Sequence, residues 1–269
     1  MPELPEVEHA RQRLLRILGE GEVITDAEAL DSLVVKGPDD WRAAIVGRSI
    51  ERAERIGKSV LVHLSGEHAF FFHLGMTGQV LSLERGASEL PRFTRWWLET
   101  ARGRACLADA RRLGRSIAGS EEDVRRKAKL DALGPDALTI QSGAMLRERF
   151  SSAKGPIKAA LMDQSRIAGI GNIHAAEVLW IAKIHPERPA PRLRTEQWNE
   201  LTKALHETLS RTLDSMRDDE DLVYVSSGGP NPFFVYGREG EPCPRCGTKI
   251  KREVARGRST YFCPRCQRK

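Results

Sequence analysis

Four cysteines near the C-terminus constrain the fold of this chain more than any other feature. They form two Cys-Pro-Arg-Cys pairs, Cys243 with Cys246 and Cys263 with Cys266, with sixteen residues between the pairs. This spacing matches a tetrahedral zinc site, and four thiolate ligands leave no open position, so we expect one structural Zn²⁺ ion. Redox disulfides or unrelated thiols are the alternatives. The fifth cysteine, Cys106, lies in an apolar stretch and is expected to be buried and inert.

The residues between the two pairs are strongly basic and precede a β-prone stretch. We therefore predict a zinc-stapled hairpin with a basic tip that suits phosphate groups. The basic residues are Lys249, Lys251, Arg252, Arg256 and Arg258.

The charge of the whole chain favours the same kind of partner. It has 43 Lys and Arg against 37 Asp and Glu, a net charge of +6 and a pI near 9.2, which favours a polyanion. No apolar run approaches the ~20 residues that span a bilayer, and the N-terminus lacks the apolar segment of a signal peptide. Paired cysteines suit a reducing compartment. We expect a cytoplasmic protein with no membrane partner.

The chain changes character along its length, which predicts an α+β protein. Apolar residues from Leu4 to Leu18 recur at helical spacing. Short β-prone pieces follow from about Val23 to Asp109 and indicate an antiparallel sandwich or barrel. After about Glu121 the patterns are helical. We predict domains at 1–133 (N-terminal and β-rich), 134–225 (helical) and 226–269 (a loop and the finger).

A Gly-x-Gly-Asn sequence precedes one of the later helices. Gly169 and Gly171 permit a close backbone approach, Asn172 is a favoured N-cap, and free amides at a helix start can bind phosphate. An ordinary turn explains the sequence equally well. Lys154 and Lys158, on the preceding segment, favour nucleic acid.

The first eight residues, MPELPEVE, place Pro2 beside the carboxylates Glu3, Glu6 and Glu8. Prolines and acidic residues are common at helix starts, so Pro2 can be an ordinary first-turn proline. We expect Glu6 to hold the N-terminus in place through backbone amides or a basic partner, and Glu8 to lie on a solvated helix face.

Together these motifs resemble the formamidopyrimidine-DNA glycosylases. The resemblance rests on residues 1–8, on 73–78 (HLGMTG), on 169–173 (GIGNI), on 235–243 (VYGREGEPC) and on 258–267. It implies an N-terminal β-sandwich domain, a helix–two-turn–helix domain and a four-cysteine zinc finger, with double-stranded damaged DNA bound between the domains. It also implies base-excision repair by a bifunctional glycosylase and abasic-site lyase that excises formamidopyrimidine-type purines, and a bacterial, monomeric protein.

The resemblance also implies roles for the catalytic residues. Removal of Met1 exposes the secondary amine of Pro2, which attacks C1′ of the damaged nucleotide, and β,δ-elimination through the resulting Schiff base cleaves the strand. An α-amino group titrates near ~8, so part of it is neutral at cellular pH. Glu3 corresponds to the residue that moves protons. Lys58 corresponds to a lysine near the lesion phosphate, although a surface strand lysine is the alternative.

Further residues match positions that bind DNA. Arg258 and Asn172 correspond to residues that grip the backbone beside the lesion. Met76, after His73, corresponds to the wedge that fills the gap left by the flipped nucleotide. His73 belongs to the same DNA-binding motif.

This sequence departs from the family pattern at two segments that contact the DNA bases. The usual Asp-Pro-Arg-Arg/Lys-Phe-Gly sequence is Asp-Ala110-Arg111-Arg-Leu113-Gly here. Arg111 still suits the orphaned base, while Leu113 replaces an aromatic wedge with an aliphatic one. The segment Ser226–Phe234 is shorter than the loop that closes over 8-oxoguanine in typical members, which leaves the preferred lesion open.

Three alternatives remain open from the sequence. A Nei-like enzyme would act on oxidised pyrimidines, although Leu4 is unusual in that group. A protein that mainly cleaves abasic sites would need the same N-terminus. A zinc-finger protein that only binds damaged DNA is disfavoured by the presence of Pro2, Glu3 and Lys58 together.

Overall fold

The computed structural model of the chain divides it into two compact units. The structure describes residues 1–36, 41–87, 89–217 and 228–269. The units are Met1–Ala132 with Met216–Gly229, and Leu133–Ser215 with Pro230–Lys269. The predicted division at 133/134 and 225/226 remains a prediction, and its second boundary lies outside the described residues.

The first unit begins with α1, Leu4–Leu18, whose bounds are those predicted. Val7, Ala10, Leu14 and Leu18 are all buried, which is the helical stripe seen in the sequence. The strands are β1 (Ile24–Ala29), β2 (Val35–Lys36), β3 (Ile50–Ile56), β4 (Ser59–Leu64), β5 (His68–His73), β6 (Gln79–Leu83), β7 (Thr94–Thr100), β8 (Arg104–Ala108) and β9 (Arg115–Ser120). Helix α2, Glu121–Ala128, and a 3₁₀ turn at Leu130–Ala132 follow.

These strands form a sandwich of two sheets around an aromatic core. Among the described residues the sheet orders are β1-β7-β8-β6 and β2-β9-β5-β4-β3, antiparallel except for the β2–β9 pair. Phe70 on β5 packs edge-on against Trp96 on β7, with ring centroids 5.0 Å apart, so the two sheets meet across this contact. Ser116 Oγ accepts a hydrogen bond from the buried indole Nε1–H of Trp96 at 2.8 Å. The predicted β-sandwich is confirmed.

The second unit is helical and carries the finger. After a 3₁₀ turn at Ala137–Thr139 come α3 (Gly143–Arg149), α4 (Ile157–Leu161), α5 (Asn172–Ile181), a 3₁₀ turn at Ala190–Arg192 and α6 (Thr195–Ser215). Strands β10 (Lys251–Ala255) and β11 (Arg258–Phe262) pair as the predicted hairpin. Helix α5 is buried almost all round, which places it at the centre of this unit.

Two further sequence expectations concern the fifth cysteine and membrane-spanning helices. Cys106 is fully buried, and burial raises the pKa of its thiol, in agreement with an inert core residue. No helix within the described ranges is both long enough and apolar enough to cross a membrane.

Candidate active site

The first turn of α1 holds two buried carboxylates beside the amino end of the chain. Glu3 is the N-cap residue and is 1% exposed, and Glu6 lies in the first turn. Glu6 Oε2 accepts a hydrogen bond from the Glu3 backbone N–H at 3.0 Å, which confirms the expected anchoring role of Glu6. Pro2 precedes the cap, and Pro5 fills the early helical position, so the interpretation of Pro2 as a first-turn proline is wrong.

The α-amino group lies in an environment that favours its neutral form. Burial lowers the pKa of this group, which Met1 carries in this sequence; Glu3 and Glu6 oppose the shift, whereas Lys58 and Arg111 add to it. A neutral amine is the form that attacks carbon. Removal of Met1 would leave the secondary amine of Pro2 as the terminal group here.

Lys58 reaches this environment from a tight turn between β3 and β4. Ile56 pairs with Ser59, which leaves Gly57 and Lys58 as the turn, and Gly57 has a φ of 59° that glycine adopts without strain. Lys58 is only 8% exposed. The alternative of a surface strand lysine is therefore wrong.

His73, at the end of β5, is held as a neutral donor. Burial lowers its pKa to about 4, the Lys58 charge adds to the shift, and Asp109 opposes it. Nδ1 accepts a hydrogen bond from the Gly75 N–H at 2.9 Å. The ring proton of the neutral imidazole therefore lies on Nε2, which can donate to an anionic group.

Asp109 joins by hydrogen bonds the two loops that carry the predicted wedge residues. These wedge loops are 74–78, with Met76, and 109–114, with Arg111 and Leu113. Its Oδ1 accepts from Thr77 Oγ1 at 2.5 Å and from the Arg111 N–H at 3.2 Å, and its Oδ2 accepts from the Gly114 N–H at 2.7 Å. Asp109 is fully buried. The sequence patterns did not predict this role for Asp109. An Asp two residues before a turn amide is a recognised turn signal, but nothing local identifies Thr77 as its partner.

The wedge loops are close-packed at their bases and open at their tips. A Cβ on Gly75 would lie 2.4 Å from the Leu113 carbonyl carbon, so only glycine permits this approach. Met76 lies in a turn and is half-buried, while Arg111 is exposed and Leu113 is 50% exposed. An exposed aliphatic side chain on a rigid base suits a wedge.

In the second unit, the buried side chain of Lys158 on α4 connects this helix to α5 and to the finger. Its ammonium donates to Asn172 Oδ1 at 2.7 Å, Thr260 Oγ1 at 2.8 Å and the Ser259 carbonyl at 3.0 Å. These bonds occupy all three ammonium protons, and Lys158 is 4% exposed. The sequence predicts Lys158 as a DNA-binding residue, whereas in the structure its charge is directed into the protein.

Asn172 is the first residue of α5, and the N-cap is Gly171. The expected N-cap role of Asn172 is therefore wrong. Gly171 is extended there and its carbonyl accepts the Ala175 N–H at 3.1 Å. The Asn172 side chain instead donates to the Ser259 carbonyl at 3.1 Å and accepts from Lys158. The helix start and the finger hairpin are thus joined by side chains.

The hairpin turn consists of Arg256 and Gly257, both with positive φ, which matches the twist of a two-residue hairpin. Arg258 is exposed beside it, with Nη1 3.8 Å from Met162 Sδ. Lys154 is exposed next to Gly155, whose Cβ would lie 3.2 Å from Arg256. The predicted basic tip therefore groups cations of the finger with one that precedes α4.

The four finger cysteines converge on one point. Their sulfur atoms lie within 4.8 Å of one another, with Cys243–Cys266 at 4.0 Å and Cys246–Cys263 at 3.5 Å. Zn–S bonds of about 2.3 Å in a tetrahedron place sulfur atoms about 3.8 Å apart, so the set fits one structural zinc ion. Trp180 Nε1 donates to Cys243 Sγ at 3.4 Å, which connects the site to α5.

A second feature that the sequence analysis missed is Glu177, a fully buried carboxylate on α5. It accepts the backbone N–H groups of Phe234 at 2.8 Å, Val235 at 2.9 Å and Tyr236 at 3.0 Å. Arg211 lies 3.7 Å from the same carboxylate. The chain just before the finger is therefore fixed to the central helix.

Three family models match the chain. They are the formamidopyrimidine-DNA glycosylase N-terminal domain over residues 1–116, the formamidopyrimidine-DNA glycosylase H2TH domain over 133–220, and a zinc finger found in FPG and IleRS over 240–268.

Similar proteins cover nearly the whole chain. The formamidopyrimidine-DNA glycosylase of Chloroflexus aurantiacus is 41% identical over 99% of this chain and 98% of its own, and that of Gluconobacter oxydans is 39% identical over 100% of both. Among solved structures, the Lactococcus lactis enzyme, non-covalently bound to DNA containing an AP site, has a TM-score of 0.86 at 30% identity, covering 99% of this chain and 100% of that one. The Thermus thermophilus protein has a TM-score of 0.83 at 34% identity, covering 99% and 98%.

Proposed function

The chain belongs to the formamidopyrimidine-DNA glycosylase family, and on this premise we propose how its own residues remove a damaged base. It is a base-excision repair DNA glycosylase with abasic-site lyase activity. The observation that carries the residue assignment is the burial of Pro2 and Glu3 at the start of α1, beside an α-amino group whose pKa is lowered by burial and by Lys58.

Pro2 is the nucleophile in this proposal. Once Met1 is removed, its secondary amine attacks C1′ of the damaged nucleotide, forms the N–C1′ bond and displaces the base together with the glycosidic electron pair. The departing base takes a proton from solvent, and the proton of the attacking amine passes to Glu3. The nitrogen lone pair then breaks the C1′–O4′ bond, and O4′ takes that proton as the sugar ring opens. The product is an iminium ion, which is cationic without needing a further proton. That charge acidifies the neighbouring sugar protons, so elimination of the 3′ and then the 5′ phosphate follows.

Glu3 moves the protons that these steps require. It is adjacent to Pro2, and it is buried at the N-cap of α1. In this role it protonates the opening sugar ring and later removes a sugar proton. Glu6 holds the helix start in place and takes no direct part.

The DNA backbone is held by charges from both units. The phosphate beside the nucleophile is bound by Lys58 and by the Nε2 donor of His73. On the finger side, the DNA backbone is bound by Arg258, Lys154 and Asn172. Lys158 positions Asn172 and the hairpin from inside. Met76, Arg111 and Leu113 fill the gap left by the flipped nucleotide.

One chain carries the nucleophile, the wedges and the finger, so we propose that a monomer acts on each duplex. The relatives named above are bacterial, and we propose the bacterial cytoplasm as the setting in which the protein meets damaged DNA.

Borohydride trapping tests the proposed nucleophile. The protein is incubated with a duplex that carries one abasic site, the iminium is reduced with borohydride, and the cross-linked peptide is mapped by mass spectrometry. The expected cross-link is at residue 2, with Met1 absent. A cross-link at Lys58, or a protein that binds abasic DNA but is never trapped, would contradict the assignment.

The preferred lesion is a second prediction. Holding 8-oxoguanine in preference to guanine needs polar groups placed around N7 and O8, and the short Ser226–Phe234 segment supplies few of them. Ser226 and Ser227 lie outside the described residues. At the other end, Glu177 already occupies the amides of Phe234, Val235 and Tyr236, which supports the prediction. We expect formamidopyrimidines and abasic sites to be processed well, and 8-oxoguanine opposite cytosine clearly more slowly.

Single-turnover excision measures this preference. Matched duplexes that differ only in the lesion are compared at one salt concentration, because DNA affinity depends steeply on salt. An oxidised pyrimidine is included, since a more open pocket accepts it too. Equal rates for 8-oxoguanine and formamidopyrimidine would refute the loop argument and leave the nucleophile untouched.

A further inference from the structure

Phe93 combines an unfavourable backbone conformation with an exposed ring. The Thr94 N–H donates to the Pro91 carbonyl at 3.2 Å, and Phe93, at the third position of this turn, has a φ of 71°. That position favours glycine or asparagine, and a bulky aromatic residue there is an outlier. Its side chain is nevertheless 40% exposed. Burial of the ring in the core therefore does not account for the strain, and such outliers concentrate at functional sites.

The backbone of Phe93 is joined to the residue that organises both wedge loops. Its carbonyl accepts the Asp109 N–H at 3.0 Å. Arg95 Nε donates to the Asp109 carbonyl at 2.8 Å, and Arg95 Nη1 reaches Asp31 at 3.1 Å. Asp31 in turn accepts two hydrogen bonds from Arg112, in the wedge loop itself. Phe93 is therefore part of the surface from which Arg111 and Leu113 project.

The charges around the ring suit a nucleic acid. The Arg92 guanidinium carbon lies 4.5 Å from the ring centroid and that of Arg95 lies 5.9 Å from it. An exposed ring beside a cation is the combination that binds unpaired bases, because the ring stacks on the base while the cation neutralises an adjoining phosphate. Arg92 is exposed and can take this role, whereas Arg95 is paired with Asp31. Leu113, the predicted wedge on the same surface, is aliphatic and cannot stack on a base.

We infer that Phe93 is a base-stacking residue of this protein: its ring stacks on a nucleobase exposed at the gap that Arg111 and Leu113 enter, and so supplies the aromatic contact that Leu113 lacks. The inference rests on the proposed function, since it takes the wedge loops to lie against DNA.

The test uses a duplex with a tetrahydrofuran abasic analogue opposite 2-aminopurine, a base whose fluorescence is quenched by stacking. Asparagine tolerates positive φ, so Phe93→Asn removes the ring and keeps the turn. We expect Phe93→Asn to bind about tenfold more weakly than wild type, to leave 2-aminopurine brighter in the complex, and to keep the wild-type salt slope because no charge is lost. Phe93→Tyr, which keeps a ring, should restore both affinity and quenching.

Phe93→Leu separates stacking from apolar contact, and it also replaces the asparagine variant should that one fail to fold. It should behave like Phe93→Asn; wild-type quenching and affinity in folded Phe93→Leu or Phe93→Asn would overturn the inference. The tetrahydrofuran site has no C1′ leaving group, so this result is independent of catalysis. Wild-type trapping on a true abasic site, run in parallel, shows separately whether the proposed nucleophile holds.

Discussion

Replacement of Pro2 by glycine, or addition of residues before it, is expected to abolish base excision, with a loss on the order of a thousandfold or more in single-turnover rate. An extension converts the amine into an amide, which cannot attack C1′. Glycine leaves a primary amine, whose imine must be protonated before it can act as an electron sink. It also removes the ring that fixes the chain before the Glu3 cap.

Pro5→Ala is the matched control for Pro2→Gly. Pro5 is also a buried proline at the start of α1, but its nitrogen is within the chain. The alanine variant should keep borohydride trapping and excision, with a change only in the free energy of unfolding. If Pro2→Gly excised formamidopyrimidine at the wild-type rate, or if Pro5→Ala lost activity to the same extent while remaining folded, the amine would not be the nucleophile.

Replacement of Cys246 by serine is expected to release zinc and to abolish specific DNA binding together. Zinc contributes ~10–16 kcal/mol to the folding of such small modules, far more than the few contacts of this hairpin can replace. The finger also holds the Ser259 and Thr260 acceptors of Lys158, so its unfolding disturbs the α5 helix start as well. Zinc content by mass spectrometry and DNA binding by fluorescence anisotropy measure the two losses.

Arg258→Ala and Cys106→Ala are the controls for this experiment. Arg258→Ala should keep zinc, weaken binding to all sequences alike and reduce the salt slope by about 0.9, the value for one phosphate contact. Cys106→Ala should keep both zinc and affinity, because this buried thiol is not a member of the cluster. Wild-type binding by Arg258→Ala would exclude its phosphate role, and full zinc content in Cys246→Ser would exclude the four-cysteine site.

The sequence predicted those parts of the molecule that depend on local pattern. The bounds of α1 follow from apolar spacing, the hairpin from a basic stretch between cysteine pairs, and the zinc cluster from the pairs themselves. Their physical causes lie within a few residues of one another. Periodicity and ligand spacing therefore suffice to find them.

The sequence could not predict partners that are distant along the chain. Lys158 was predicted to bind DNA, yet its acceptors Ser259 and Thr260 lie about a hundred residues away in the sequence, and a lysine carries no local sign of burial. Asp109 and Glu177 were missed for the same reason. Asp109 joins the two loops only through the hydroxyl of Thr77, 32 residues away. Glu177 depends on the backbone amides of Phe234, Val235 and Tyr236, which the tertiary structure brings to it.

The anchoring of Phe234, Val235 and Tyr236 by Glu177 has a consequence for how this protein can diverge. Asn231 adds to it, since its side chain accepts the Phe233 N–H and donates to the Tyr236 carbonyl. These hydrogen bonds fix the position at which the chain enters the finger. Insertions and deletions that precede them are therefore expected to leave the position of the finger unchanged. A lineage can exchange one lesion-recognition segment for another while the metal module downstream is inherited intact, and a segment grafted from a relative at this junction should be tolerated for the same reason.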